Sequence, residues 1–402
     1  MHSDSNPMNA YLDGERHIFV DNVRFWSMIG IVAIHSASVF IVIENTHPLL
    51  IAALVAPAKF GTIGFFLISG FLLGERLDRC RPMEYLGRRL QKVFLPWLFW
   101  LSLLAVTLMA ADVIHHRVTL AFAIDSLRFI GLTYSRCVTE TAFWFVPNLL
   151  LSLCVLLLFR RHLNDLRLGA ALLAINLFYV VNIYTIWLPS SHAKAMFGFV
   201  FYLWLGTYAS HHFGSVTQWV SRIGIGVFAV LAVLTGLVAF GEACVLAHLK
   251  SPDPNNSLRL SNQVFSIVMV LLILKLGRAA WPRFINVRSE TFGIYLSHTL
   301  VLYVGLSAAK RMLLKTLPGS LLNSYAGGLA LWLIVTALTY SVCVAFTKAV
   351  VGRSYLRWMV GARSTEVRPK STPRLEKRDG SAEFISVAVT QRPSLSFRGE
   401  TN

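Results

Sequence analysis

The sequence predicts an all-α fold, a polytopic bundle of transmembrane helices, on three observations. Of 402 residues, 55% are hydrophobic and 14% charged, with a mean hydropathy of +0.59, whereas a soluble domain carries roughly a quarter charged residues. Apolar runs recur that are long enough to cross a bilayer, which takes about 20 residues of helix. The run 223–241 is the cleanest, and 94–110, 168–188, 264–274 with its flanks and 329–345 resemble it. Basic residues gather in short loops between such runs, which is the positive-inside pattern of membrane proteins.

Taken in chain order, length and flanking residues give about ten spans: 18–43, 55–74, 94–113, 142–159, 168–188, 193–210, 223–247, 263–281, 291–309 and 325–350. Residues 1–17 are polar and carry acids, unlike a cleavable signal peptide. Residues 18–350 form the transmembrane domain. Residues 351–402 are basic and rich in Ser, Thr and Pro, a composition that predicts a largely disordered tail. An even span count puts the loops around Arg76–Lys92, Arg160–Arg167 and Lys275–Arg288, together with the tail, on one side. That side is the cytoplasm, with both termini inside; Lys310, Arg311 and Lys315 lie outside and are outvoted. The net charge of +17 therefore reports topology, and a nucleic-acid partner is not expected. The five cysteines are scattered with no C-x-x-C spacing, so neither a metal site nor a disulfide framework is expected. The neighbouring pairs His115-His116 and His211-His212 do not share a helix face and are no metal site either. No internal repeat of the transporter kind is visible.

Ionisable groups inside a span are costly and each needs a reason. The first span holds Asp21, Arg24 and His35. Eleven residues separate Arg24 from His35, and at about 100° per residue they return to within ~20° of one face, about 16 Å apart along the helix. Asp21 stands one turn before Arg24 and can pair with it. Arg24 reads equally as a snorkelling cation. His35, deep in the span, reads as a proton acceptor of the kind that acyl transfer to an alcohol requires, or as a structural hydrogen bond. Gly61, Gly64 and Gly70 in the second span let a helix or a ligand approach closely. Before the third span, Arg88, Arg89 and Lys92 make a basic segment; Arg89 and Lys92 share a face if the segment is helical. They read as a phosphate cradle or as a positive-inside anchor. His298 is a second intramembrane imidazole, functional or bridging helices, and Glu290 suits a helix N-terminus.

These elements come in a recognisable order. Asp21-x-x-Arg24, then ten residues and His35, is followed by Phe65-Phe66-Leu67-Ile68-Ser69-Gly70-Phe71 and by Arg89-x-x-Lys92 before Pro96. Later come Phe143-Trp144-Phe145-Val146-Pro147, Tyr202-Leu203-Trp204-Leu205-Gly206, and Gly293-Ile294-Tyr295-Leu296-Ser297-His298. The set resembles the membrane acyltransferase-3 family over about residues 21–350. The resemblance implies an integral membrane protein of the cell (inner) membrane that moves acetyl or succinyl from cytoplasmic acyl-CoA to a hydroxyl. Typical acceptors are cell-surface, exported or lipid-linked glycans: Nod factors, O-antigens, osmoregulated glucans and exopolysaccharides. It implies no tightly bound cofactor, acyl-CoA as donor substrate, and the bilayer and a hydroxyl-bearing acceptor as partners. Carried over, His35 is the catalytic base with Arg24 its companion. Arg88, Arg89 and Lys92 hold the donor, with Asp21, Ser69, Glu290, Tyr295 and His298 in support. The chain departs from the family's Arg-x-x-Arg motif at Lys92, which meets a phosphate as a point charge instead of a bidentate fork. Direct attack on the thioester and an acyl-His35 intermediate both fit. From other classes, a carrier for a glycan lipid or small solute and a membrane scaffold acting through its basic tail remain alternatives.

Overall fold

The computed structural model describes residues 7–43, 47–77, 81–189, 191 and 194–362, which are helical with no strand. The disordered tail expected from 351 onward lies outside the described residues from 363. Its first stretch is ordered: a 3-10 helix, Ser354–Val360, folds back on the bundle, and Trp100 Nε1 donates to the Met359 carbonyl at 2.9 Å.

We label the principal helices α1 Pro7–Ser36, α2 Pro48–Ala58, α3 Phe60–Leu77, α4 Pro82–Arg89, α5 Leu95–Ile114, α6 Leu127–Glu140, α7 Phe145–Leu158, α8 Leu166–Thr185, α9 Val200–His211, α10 Phe213–Arg222, α11 Ile225–His248, α12 Leu260–Leu276, α13 Val287–Thr316 and α14 Tyr325–Val351. Their ends follow local chemistry. Asp165 caps α8, accepting from Arg167 N–H at 2.9 Å, and Ser324 caps α14, accepting from Gly327 N–H at 2.9 Å. Gly277 at φ +61° stops α12, four residues before the expected end of that span.

Among the described residues, seven stretches are long and apolar enough to cross a membrane: Gly14–Val42, Pro48–Glu75, Pro82–Ile114, Leu166–Thr185, Ile225–His248, Val287–Thr316 and Tyr325–Val351. Leu127–Glu140 with Ala142–Leu158 makes an eighth if that pair, bent by 82°, counts as one. The remaining expected spans take shorter forms. Segment 263–281 holds the 17-residue α12, and 193–210 holds a 3-10 turn, Met196–Phe199, leading into the 12-residue α9. α9 is an interior helix: Tyr202, Leu203, Trp204, Gly206 and Thr207 are all buried.

Backbone contact holds the centre together. α3 and α9 touch at two glycines: a Cβ on Gly70 would collide with the Leu203 carbonyl oxygen, and one on Gly206 with that of Leu67. Thr207 Oγ1 donates to the Gly70 carbonyl at 3.0 Å across the same seam. Gly61 lies against the Ser27 carbonyl of α1 in the same way, and Gly64 against the Ser27 hydroxyl. The second-span glycines thus serve helix packing, which in a bilayer relies on small residues and van der Waals contact.

The bundle has a basic end, where Arg24, Arg89, Arg288 and Lys348 lie, and an opposite end fastened by Arg259. Arg259, in the loop before α12, is fully buried; its Nη1 donates to the Ala239 carbonyl at 2.6 Å and lies 3.7 Å from Glu242. Tyr184 and Ser261 also donate to Glu242, so α8, α11 and α12 meet on one carboxylate. Burial lowers the Arg259 pKa, and the neighbouring Glu242 opposes that shift. Breaking a buried pair from one side strands the other charge, at about 3–5 kcal/mol. Arg259→Met should therefore cost about that much in the unfolding free energy of purified protein, and Arg259→Met with Glu242→Gln should recover part of it. A single variant as stable as the parent would refute this role.

Candidate active site

The site is assembled where α6 and α7 break. Thr141 is extended (φ −119°, ψ −175°), and its hydroxyl accepts from Phe143 N–H at 3.3 Å. The break releases backbone carbonyls from the helical ladder inside the bundle, where each needs a donor. Tyr295 Oη donates to the Ala142 carbonyl at 2.7 Å, and Trp97 Nε1 to that of Phe143 at 2.9 Å. Phe145 continues the wall, with ring centroids 5.6 Å from Tyr295 and 4.9 Å from Phe66. Tyr295 is thereby fixed at both ends, by its own helix and by the break.

One turn on from Tyr295 lies His298, which is fully buried. Its Nδ1 is 2.6 Å from the Tyr295 carbonyl oxygen. A carbonyl only accepts, so the proton resides on Nδ1 and the lone pair on Nε2. That Nε2 is buried with no hydrogen-bond partner among the described residues. The ring of His35, half-buried near the end of α1, lies 5.2 Å from the His298 ring, tilted by 51°. Two histidines from two helices therefore meet inside the bundle, one fixed in its tautomer and the other more accessible.

Arg24 lies on the same unbroken helix as His35, about 16 Å toward the basic end. Its Nη1 is 3.2 Å from Asp21 Oδ1, and Arg288 Nε donates to Asp21 Oδ2 at 2.8 Å. Arg89 and Arg288 are both near enough to act electrostatically on Arg24. Arg89 is held by Tyr85, whose hydroxyl accepts from Nε at 3.0 Å and Nη2 at 2.8 Å.

Other expected residues stand differently. Arg88 pairs with Glu84 at 2.9 Å on an exposed surface. Lys92 is exposed and sits in a π-helical stretch, Leu90–Phe94, that follows the α-helix of Arg89; the wider π turn advances fewer degrees per residue than an α-helix. The cap of α13 is Asn286, not Glu290: its side chain accepts from Ser289 N–H at 3.4 Å. Glu290 is buried, with Oε2 lacking a partner among the described residues and Lys348 acting on it electrostatically. Ser69 is half-buried on α3, and nothing in the structure ties it to the histidines.

Sequence reasoning missed two residues here. Arg288 reads as one more loop cation, because its partner Asp21 is 267 residues away. Tyr85 had a local signal, four residues before Arg89 on a helix. Among the described residues there is no group of three or more His, Cys, Asp or Glu placed to hold a metal ion.

Comparison with known proteins gives one match. The model of the acyltransferase-3 family, described as an acyltransferase domain, matches residues 17–348. No curated protein and no solved structure matches the chain.

Proposed function

The chain belongs to the acyltransferase-3 family, and from that premise we propose that this multi-pass membrane protein moves an acetyl or succinyl group from cytoplasmic acyl-CoA to a hydroxyl of a cell-surface, exported or lipid-linked glycan. The observation that carries the reading is the His35–His298 pair, with its orphaned, buried Nε2. A small rotation of His35 lets one ring N–H donate to His298 Nε2. The other His35 nitrogen then carries a lone pair. This is a general base oriented by a second group, as in other acyl transfers.

The acceptor hydroxyl gives its proton to His35 as its oxygen attacks the thioester carbonyl. The C–O bond forms, the C–S bond breaks, and the proton passes from His35 to the departing thiolate, so ester and free thiol leave the site. Imidazolium forming on His35 is steadied by His298. Arg24, Arg89 and their neighbours hold the donor from the basic end. That end is the cytoplasmic face of the inner membrane, because basic loops are retained there.

Membranes containing the protein or His35→Ala, incubated with radiolabelled acetyl-CoA or succinyl-CoA and separated into glycan and lipid fractions, test the reading. Label in a glycan-bearing fraction is expected with the parent only. If both proteins are present at equal level and neither donor labels anything, the transferase reading falls and a carrier replaces it.

A further inference from the structure

At the basic end two guanidiniums share one carboxylate, and a third lies close enough to act on the first. Asp21 has a side-chain exposure of 8% and spends each oxygen on a different arginine, Arg24 at 3.2 Å and Arg288 at 2.8 Å. Arg89 adds a third positive charge close by. Two positive charges are left in excess around a nearly buried carboxylate, and like charges held close together repel. A polyanion seated there removes that repulsion.

We propose that Arg288 is a third guanidinium of the site that takes the phosphate groups of the acyl donor, and that Asp21 is the residue that positions it against Arg24. This rests on the donor being an acyl-CoA.

The donor atoms fit. Arg288 commits Nε to Asp21, which leaves both Nη groups; its side chain is 55% exposed. Arg24 commits Nη1 to Asp21, and Arg89 commits Nε and Nη2 to Tyr85. Guanidinium forks match phosphate oxygens two at a time. Arg88 is engaged with Glu84 on the surface, and Lys92 lies on the π turn. The spacing fits as well. The cluster and the histidine pair are joined by one helix, about 16 Å apart, a separation that an extended pantetheine arm can bridge between its phosphates and its thioester.

Calorimetric titration of the detergent-purified full chain with CoA, and with pantetheine, which lacks the phosphates, tests the inference. Arg288→Gln is expected to weaken CoA binding about tenfold and to leave pantetheine binding unchanged, with Arg288→Lys intermediate. Asp21→Ala is expected to weaken CoA binding although it raises the net positive charge; tighter binding would overturn its positioning role. A parent that binds no CoA sinks the donor assignment and this inference with it. A parent that binds CoA as Arg288→Gln does sinks this inference alone.

Discussion

Replacing His298 with alanine is expected to lower acyl transfer about 10²-fold in a protein that still folds and inserts, and His35→Ala should lower it about 10²–10⁴-fold. The difference follows from burial. His35 is the more accessible ring, and on the proposed mechanism it meets the acceptor, whereas His298 is fully buried with its proton fixed on Nδ1 by the Tyr295 carbonyl. Removing His298 leaves the base in place but lets it choose its own tautomer and orientation. His298→Gln should recover part of the rate, since an amide oxygen can accept from His35. The pH–rate profile should also change in His298→Ala, because the neighbour that steadies imidazolium is gone. The double variant should be little worse than His35→Ala, as groups acting as a unit are not additive. These rates are to be read in membranes at matched protein level, across pH. A His298→Ala protein with the parent's rate and pH profile would reduce His298 to a bridge between helices.

The second large effect is structural. Gly70→Leu and Gly206→Leu are each expected to abolish accumulation of folded protein. Overpacking a core costs about 1–3 kcal/mol where side chains can yield, but here the obstacles are the carbonyl oxygens of Leu203 and Leu67, and backbone cannot rotate aside. α3 and α9 would have to separate along their length and surrender the Thr207–Gly70 hydrogen bond. Gly241→Leu is the matched control: it too is a glycine of a long apolar helix, and nothing lies within 4 Å of its added Cβ. The yield of monodisperse protein after detergent extraction decides; normal yields for Gly70→Leu would show that the seam can open.

How far the sequence reveals all this differs from element to element. The first helix is legible because an apolar run with a fixed angular step keeps Arg24 and His35 on one stripe, and α1 is continuous through both. The break at Thr141 is not legible. The residues after it are mostly apolar, so a hydropathy reading starts a straight span at Ala142, and only the tertiary contacts of Tyr295 and Trp97 reveal a bend. α6 is hidden for a related reason. It lies in what reads as an external loop and buries only Thr133 and Cys137, too narrow a stripe to register as a span. The π-helical stretch at Leu90–Phe94 changes the angular step that the shared-face argument for Arg89 and Lys92 assumes. Arg288 and Asp21 defeat any local argument, because their bond joins distant segments.

The unbroken course of α1 from Pro7 to Ser36 makes it a ruler. One mark is the guanidinium cluster and the other is His35, and no hinge between them lets the interval stretch. On the proposed reading, a donor gripped at the first mark presents its thioester at a fixed height whatever acyl group it carries. The ruler therefore measures the carrier and is blind to the cargo. Discrimination between a short and a long acyl group falls to whatever lies past the second mark, where Val39, Phe40, Leu302 and Leu306 close in an apolar cluster.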